Sequence, residues 1–336
     1  MFLDVAPNLL GMGLSVAALV ARNVDNTRTT PEQIAYRRAV GRRLAAFWKN
    51  RSITAHPATR EYHRLHEQFG AVGEPPAPEK LVTYVRRHRD FTASGAVVDC
   101  YNIVSARTLL SIGAHDLEKL ATPVTLRLTT PADLFVPLGE TAPRPLSEEY
   151  AYVDSQGSII CRLDVLQCEQ TKTTRESRDI AFFLQGNRCL PASILLKGAW
   201  LLSEMVTRFC GGTVELVGFF DALPTLRAAA MKPQISVETF QRLSLRTGTI
   251  LRSSPLPNLT ALSAVTLRTD SEVKALAPSS ALTEWEVGQK AVVATGLHPL
   301  VIAGETYTAY VPTLHSESAA APLHVADYIP EGARLY

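Results

Sequence analysis

Hydrophobic and polar positions change period several times along the chain. Leu9 to Ala21 (LLGMGLSVAALVA) is apolar almost throughout, which predicts a buried strand, with Gly11 and Gly13 suited to close strand packing or a bulge. Glu32 to Asn50 sets Ile34, Val40, Leu44, Phe47 and Trp48 near helical spacing and places Arg37, Arg38, Arg42, Arg43 and Lys49 between them, predicting an amphipathic helix with a basic face. After the turn EPPAP (74–78), Glu79 to Arg89 predicts a second helix, ending in Arg86, Arg87, His88 and Arg89. Such a cluster complements the helix dipole and would equally suit a phosphate backbone. The run Ala96–Val98 predicts a short buried strand that meets a helix at Asp99, Cys100, Tyr101 and Asn102. Ser111, Gly113, His115 and Asp116 crowd the turn predicted after that helix, so two polar clusters would face a common cleft.

From Thr122 to Asp164 the pattern switches to short strands (VTLRL, DLFVPLG, EYAYV, SIICRLDV) separated by Pro, Gly and Asp-Ser-Gln-Gly turns. LQCEQTKTTRE (166–176) then forms the second polar concentration. Leu190 to Cys210 predicts a helix capped by Gly211-Gly212, and VELVGFF a strand after it. The expected architecture is an α/β (α+β) domain with a mixed or antiparallel sheet over 1–234, followed by an all-β barrel over 235–336.

Composition narrows the function classes. The 34 Lys and Arg against 32 Asp and Glu leave a net charge of +2, so any nucleic-acid contact must be local. Five cysteines (Cys100, Cys161, Cys168, Cys189, Cys210) without CxxC spacing argue against a disulfide framework or a zinc site and suit a reducing cytoplasm. His56, His63 and His66 lack the HExxH spacing, and no metal is expected there. The apolar stretch at 9–21, about thirteen residues, is too short to span a bilayer, and the acidic Asp4 before it does not suit a secretory signal. There is no GxSxG, no Walker A loop and no GxGxxG after a strand, so no cofactor is expected.

VDCYN (98–102), followed eleven residues after Asn102 by GAHDLEKL, resembles the editing (B3/B4) domain of the phenylalanyl-tRNA synthetase β-subunit, and the likeness continues through 149–185. In detail it is similar to the free-standing relatives of that domain. The resemblance implies a pocket built from Asn102 and His115, closed by Arg162, Gln167, Glu169, Lys172 and Thr173. Tyr101 stands where the family has Thr, and Gly113 where it has His. The bulky Tyr101 favours a small aminoacyl group such as Ser, Thr or Ala, with its ammonium held by Asn102, Glu169 or Asp116. His115, at an ordinary pKa near 6.5, would act as base. The alternatives are a capping or core role for His115 and a helix N-cap for Asp116.

LSLRTGTILR (243–252), GQKAVVATGLHPLVIAGETYTAY (288–310) and the PEGARLY finish resemble the tRNA-binding OB-fold of the methionyl-tRNA synthetase C-terminus and aminoacylation cofactors. Arg246, Gly248, Gly288, Val292, Val293, Leu297, Pro299 and Gly304 carry that likeness. It implies tRNA contact through Arg246, Arg252, Lys290 and His298, with homodimerisation through the barrel as the alternative. Leu300 to Ala303 carry no cation where the family has a basic finger.

An aminoacyl-tRNA ester is already activated. Its hydrolysis needs a positioned water, donors for the oxyanion and a selective pocket, and no triad. The expectation is therefore a protein that binds aminoacyl-tRNA and hydrolyses mischarged species in trans. Transfer of the aminoacyl group to a small amine or hydroxylamine, and a non-catalytic tRNA-binding factor, remain alternatives.

Overall fold

The computed structural model describes residues 2–146, 148–221, 244–256, 259, 262–279, 287–315, 320–322 and 331–335. The chain divides into two compact units, 1–230 and 231–336. The expected boundary at 234/235 lies outside the described residues.

The first unit runs β1 (Leu3–Val5), α1 (Pro7–Gly11), β2 (Ser15–Arg22), α2 (Pro31–Trp48), α3 (Pro57–Gln68), α4 (Ala77–His88), α5 (Ala96–Thr108), β3 (Ser111–Asp116), β4 (Val124–Leu128), β5 (Tyr150–Val153), β6 (Ile159–Arg162), β7 (Leu166–Gln167), β8 (Ile180–Gly186), α6 (Ala192–Cys210) and β9 (Thr213–Phe220), with one turn of 3-10 helix at Leu117–Lys119. One sheet has the order β1-β4-β5-β6-β7, parallel only at β1–β4. In a second sheet β9, β2, β8 and β3 are neighbours, all antiparallel.

The two sheets share a core. Val16 and Ala18 of β2 and Phe183 of β8 pack with Leu126, Tyr150, Tyr152 and Ile160 of the other sheet. Because side chains alternate along a strand, Ala17, Leu19 and Ala21 point away from that core, toward the side on which α6 packs. A strand buried on both faces reads as a continuous apolar run, as 16–21 does.

Two expectations are corrected here. The apolar stretch 9–21 is not one strand: Pro7 at a first helical position opens α1, and Gly13, at φ 98, turns the chain into β2. Ala96–Val98 is not a strand but the first turn of α5, entered through Gly95 at φ 118. Three apolar residues do not distinguish a strand from the inner face of a buried helix. Ala96, Val97, Cys100 and Ile103 form that face, and α5 packs against α6, α2 and α4. The polar "turn" after it is strand β3, hydrogen-bonded to β8 with Gly113 opposite Phe183 and His115 opposite Ala181.

The second unit contains β10 (Ser244–Pro255), β11 (Leu262–Arg268), β12 (Glu272–Pro278), β13 (Lys290–Thr295), β14 (Leu300–Ile302), β15 (Glu305–Tyr307), β16 (Ala309–Tyr310), β17 (Thr313–His315), β18 (Ala320–Pro322) and β19 (Arg334–Leu335). β10 pairs with β11, β11 with β12, β12 with β16 in parallel, β16 with β13, and β13 with β10. The ring closes, which leaves these five strands no open edge. Ile250, Val265, Leu267, Ala275, Ala291, Val293 and Ala309 fill it.

Candidate functional site

Strand β3 alternates, so Ser111, Gly113 and His115 share one face, and all three line a cavity of about 290 Å³ in the first unit. Tyr101 and Asn102 of α5 and Lys80 of α4 form part of its wall, with Leu138, Gln167, Phe183 and Gln185. Gly113 keeps the cavity open: a Cβ there would lie 2.6 Å from Gln167 Nε2 and 3.6 Å from His115 Nε2.

His115 is 1% exposed. Its Nδ1 lies 2.7 Å from Thr171 Oγ1, which lies 3.0 Å from Cys168 Sγ. Its Nε2 has no partner. Burial, with no carboxylate beside the ring, pushes the pKa down to about 3. The ordinary pKa expected from the sequence is thereby corrected, and the imidazole is neutral at physiological pH.

A second polar centre on the same cavity has no counterpart among the expected site residues. Asp164, between β6 and β7, places Oδ1 at 2.5 Å from His66 Nε2 and accepts a hydrogen bond from Tyr150 Oη at 3.0 Å. Its Oδ2 is buried without a partner. Ser111 Oγ donates to the Asp164 carbonyl at 2.9 Å, and Tyr152 Oη donates to Gln185 Oε1 at 3.0 Å. Tyr62 Oη donates to the Gln185 carbonyl at 2.6 Å. The signal in the sequence lies in α3, where Tyr62 and His66 stand four residues apart on one helix face. Metal-ligand spacing, the pattern sought among the histidines of that segment, does not detect such a pair. Among the described residues no group of three or more His, Cys, Asp or Glu is placed to hold a metal ion.

Several expected site residues lie elsewhere. Asp116 is next to His115 and therefore faces the other way: it accepts from Glu118 N at 3.2 Å as a helix cap and from Ser177 Oγ at 2.7 Å. Arg162 is turned to the buried Glu149, its Nε 2.7 Å from Oε2. Glu169 sits in an exposed turn, where Lys172 pairs with it and holds its carboxyl below the usual range, and Gly139 N donates to it at 2.8 Å. Glu169, Lys172 and Thr173 do not line the cavity; Gln167 does. Asp99 is fully buried against Arg37, Nη1 to Oδ2 at 2.7 Å, and serves the packing of α5 on α2.

Other cations are surface features. Arg38, Arg42 and Arg43 of α2 and Arg86, Arg87 and Arg89 at the end of α4 are exposed. In the barrel Arg246 pairs with Asp270, Arg252 is exposed, and Lys290 and His298 are half-buried at the start of β13 and just after it. No helix among the described residues is long and apolar enough to cross a membrane, and all five cysteines are free.

Residues 69–194 match the family model described as the B3/4 domain. The matched B3/4 stretch includes Tyr101, Asn102, Gly113, His115, Asp164, Gln167 and Gln185 and excludes His66 and Tyr62 of α3. No curated protein matches the chain. Among solved structures, an N-terminal fragment of the phenylalanyl-tRNA synthetase β-subunit from Pyrococcus horikoshii is 12% identical over 63% of this chain and 49% of its own, with a TM-score of 0.33. The chain thus spans about half the length of that fragment. A MetRS-related protein from Pyrococcus horikoshii is 16% identical over 31% of this chain and all of its own, with a TM-score of 0.28. The chaperone CsaA from Bacillus anthracis str. Ames is 15% identical over the same shares, with a TM-score of 0.27.

Proposed function

We propose that this protein binds aminoacyl-tRNA and hydrolyses its ester in trans, taking a small aminoacyl group into the cavity of the first unit. The observation that carries the reading is the partnerless Nε2 of His115, a residue that lines the same cavity as Asn102. At about 30 Å³ per water, that volume holds on the order of ten waters, room for an aminoacyl group, and Tyr101 in its wall favours a small one. The B3/4 match of residues 69–194 supports it, together with the sequence likeness to synthetase editing domains.

A neutral imidazole whose conjugate acid titrates near 3 is a weak proton acceptor at neutral pH. Its contribution is a hydrogen bond that orients the attacking water, while the Asn102 amide donates to the carbonyl oxygen as negative charge develops there. Water adds to the ester carbon, the bond to the ribose oxygen breaks, and the proton from water ends on the ribose hydroxyl. The exposed arginines of α2 and α4 suit phosphates. The strand order of the barrel, first-second-third-fifth-fourth with closure onto the first, supports an OB-fold and with it a nucleic-acid-binding role.

The test is deacylation of a panel of radiolabelled aminoacyl-tRNAs, correctly charged and mischarged, by the protein and by His115→Ala and Asn102→Ala, with and without a primary amine. Loss of label from a small aminoacyl group, cut at least about tenfold in both variants, is expected. Release only with the amine would replace hydrolysis by aminoacyl transfer. Binding without turnover across the panel would leave a non-catalytic tRNA-binding factor.

A further inference from the structure

The Ser111 end of the cavity holds a carboxylate that the protein has positioned but not fully used. Asp164 Oδ1 is occupied by His66 and Tyr150, while Oδ2 is buried, partnerless and part of a residue that lines the cavity. The side chains of Asp164 and His66 are each 1% exposed. Native proteins satisfy nearly all such atoms, so a specific exception calls for a physical reason.

Its surroundings fix what can complete it. His66 Nε2 faces a carboxylate, and its Nδ1 lies 3.3 Å from the Glu74 carbonyl, which can only accept. Nδ1 therefore donates, and the proton shared between Nε2 and Asp164 Oδ1 makes an imidazolium when it sits on the ring. Burial opposes that charge, and the Asp164 carboxylate with the Glu74 carbonyl outweighs it, leaving the His66 pKa above its ordinary value. His66 and Tyr150 together occupy Oδ1. What remains is Oδ2, a buried acceptor without a hydrogen-bond partner on a residue that lines the cavity.

We infer that Asp164, held by His66 and Tyr150, is a subsite that accepts a hydrogen bond from an N–H or O–H donor on the ligand's aminoacyl group. The inference rests on the aminoacyl reading of the same cavity. An aminoacyl group offers two such donors, its α-ammonium and, in Ser or Thr, its side-chain hydroxyl. A site built around a buried acceptor discriminates strongly, because an analogue lacking the donor leaves the acceptor unpaired.

Binding of non-hydrolysable 3′-aminoacylamino-3′-deoxyadenosines carrying glycyl, alanyl, seryl and threonyl groups, each as the free amine and N-acetylated, tests this by calorimetry on the full chain. At least a tenfold loss of affinity on N-acetylation assigns the α-ammonium. The same loss from seryl to alanyl, surviving N-acetylation, assigns the hydroxyl. Either effect should vanish in Asp164→Asn and Asp164→Leu. Equal binding of N-acetylalanyl and seryl probes, or no binding at all, overturns the subsite. The comparison on the unmodified protein decides even where a variant fails to fold. Donor-dependent binding without ester hydrolysis would sink the hydrolase and keep the subsite; hydrolysis indifferent to the donors would do the reverse.

Discussion

A Cβ on Gly113 would lie 2.6 Å from the Gln167 amide nitrogen, so the missing side chain of one residue is what gives the other its place on the cavity wall. Gly113 is not among the residues at positive φ. Alanine is therefore tolerated by the backbone of β3, and the Gln167 amide can swing aside. Gly113→Ala is expected to lower kcat/KM for deacylation by at least about tenfold while shifting Tm by only a few degrees, and Gly113→Val to abolish turnover. Steady-state kinetics and thermal unfolding on the same samples check this.

His115 makes the folded state sensitive to acid. The unfolded histidine takes a proton as pH falls through 6.5, and the folded one does so only near 3. The unfolded state thus binds more protons in that window, so this group's contribution rises with pH from about 3 to 6.5 and is lost on acidification. The slope is about 1.4 kcal/mol per pH unit, and the whole window is worth on the order of 5 kcal/mol. Urea unfolding at a series of pH values should show a flatter profile below pH 6.5 in His115→Gln than in the parent.

Arg37 and Asp99 form a buried ion pair, their side chains 7% and 0% exposed, with Asp90 on the same guanidinium at 3.3 Å. Removing Arg37 strands the buried Asp99 carboxylate, and removing Asp99 leaves Arg37 only the more distant Asp90. Arg37→Met or Asp99→Leu should each cost about 3–5 kcal/mol, and the double variant should recover part of that loss. Chemical denaturation decides, and ligand affinity of the folded fraction should be unchanged.

The exposed arginines of α2 and α4 are expected to bind tRNA phosphates. Replacing Arg42, Arg43, Arg86 and Arg87 by Ser should weaken tRNA binding uniformly across sequences. It should also flatten the dependence of log K on log[salt] by about 0.9 for each duplex phosphate that is no longer neutralised. An unchanged slope would make these helices a solvated face and move the RNA-binding surface elsewhere.

How much of the fold and the site is legible in the sequence can be read from single residues. Gly211, at φ 69, ends α6 where a C-cap glycine is expected, because capping is a property of adjacent residues. Asn102, Gly113, His115 and Gln167, all expected at the pocket, do meet on one cavity, whereas Glu169, Lys172 and Arg162, expected there too, do not. Those three are polar groups near the site along the chain. Their own neighbours already satisfy them: Lys172 for Glu169, Glu149 for Arg162.

By itself the sequence determined the local grammar of this protein: the glycine that ends α6, which runs are apolar enough to be buried, and the passage from an α/β pattern to an all-β one. Only the tertiary structure decided that 96–98 is helix, because a buried helix face and a buried strand look alike over three residues. It alone brought His66 to Asp164 across 98 positions. It also left His115 neutral, because a pKa depends on the solvent and charges around the ring, and those are supplied by residues remote in the chain.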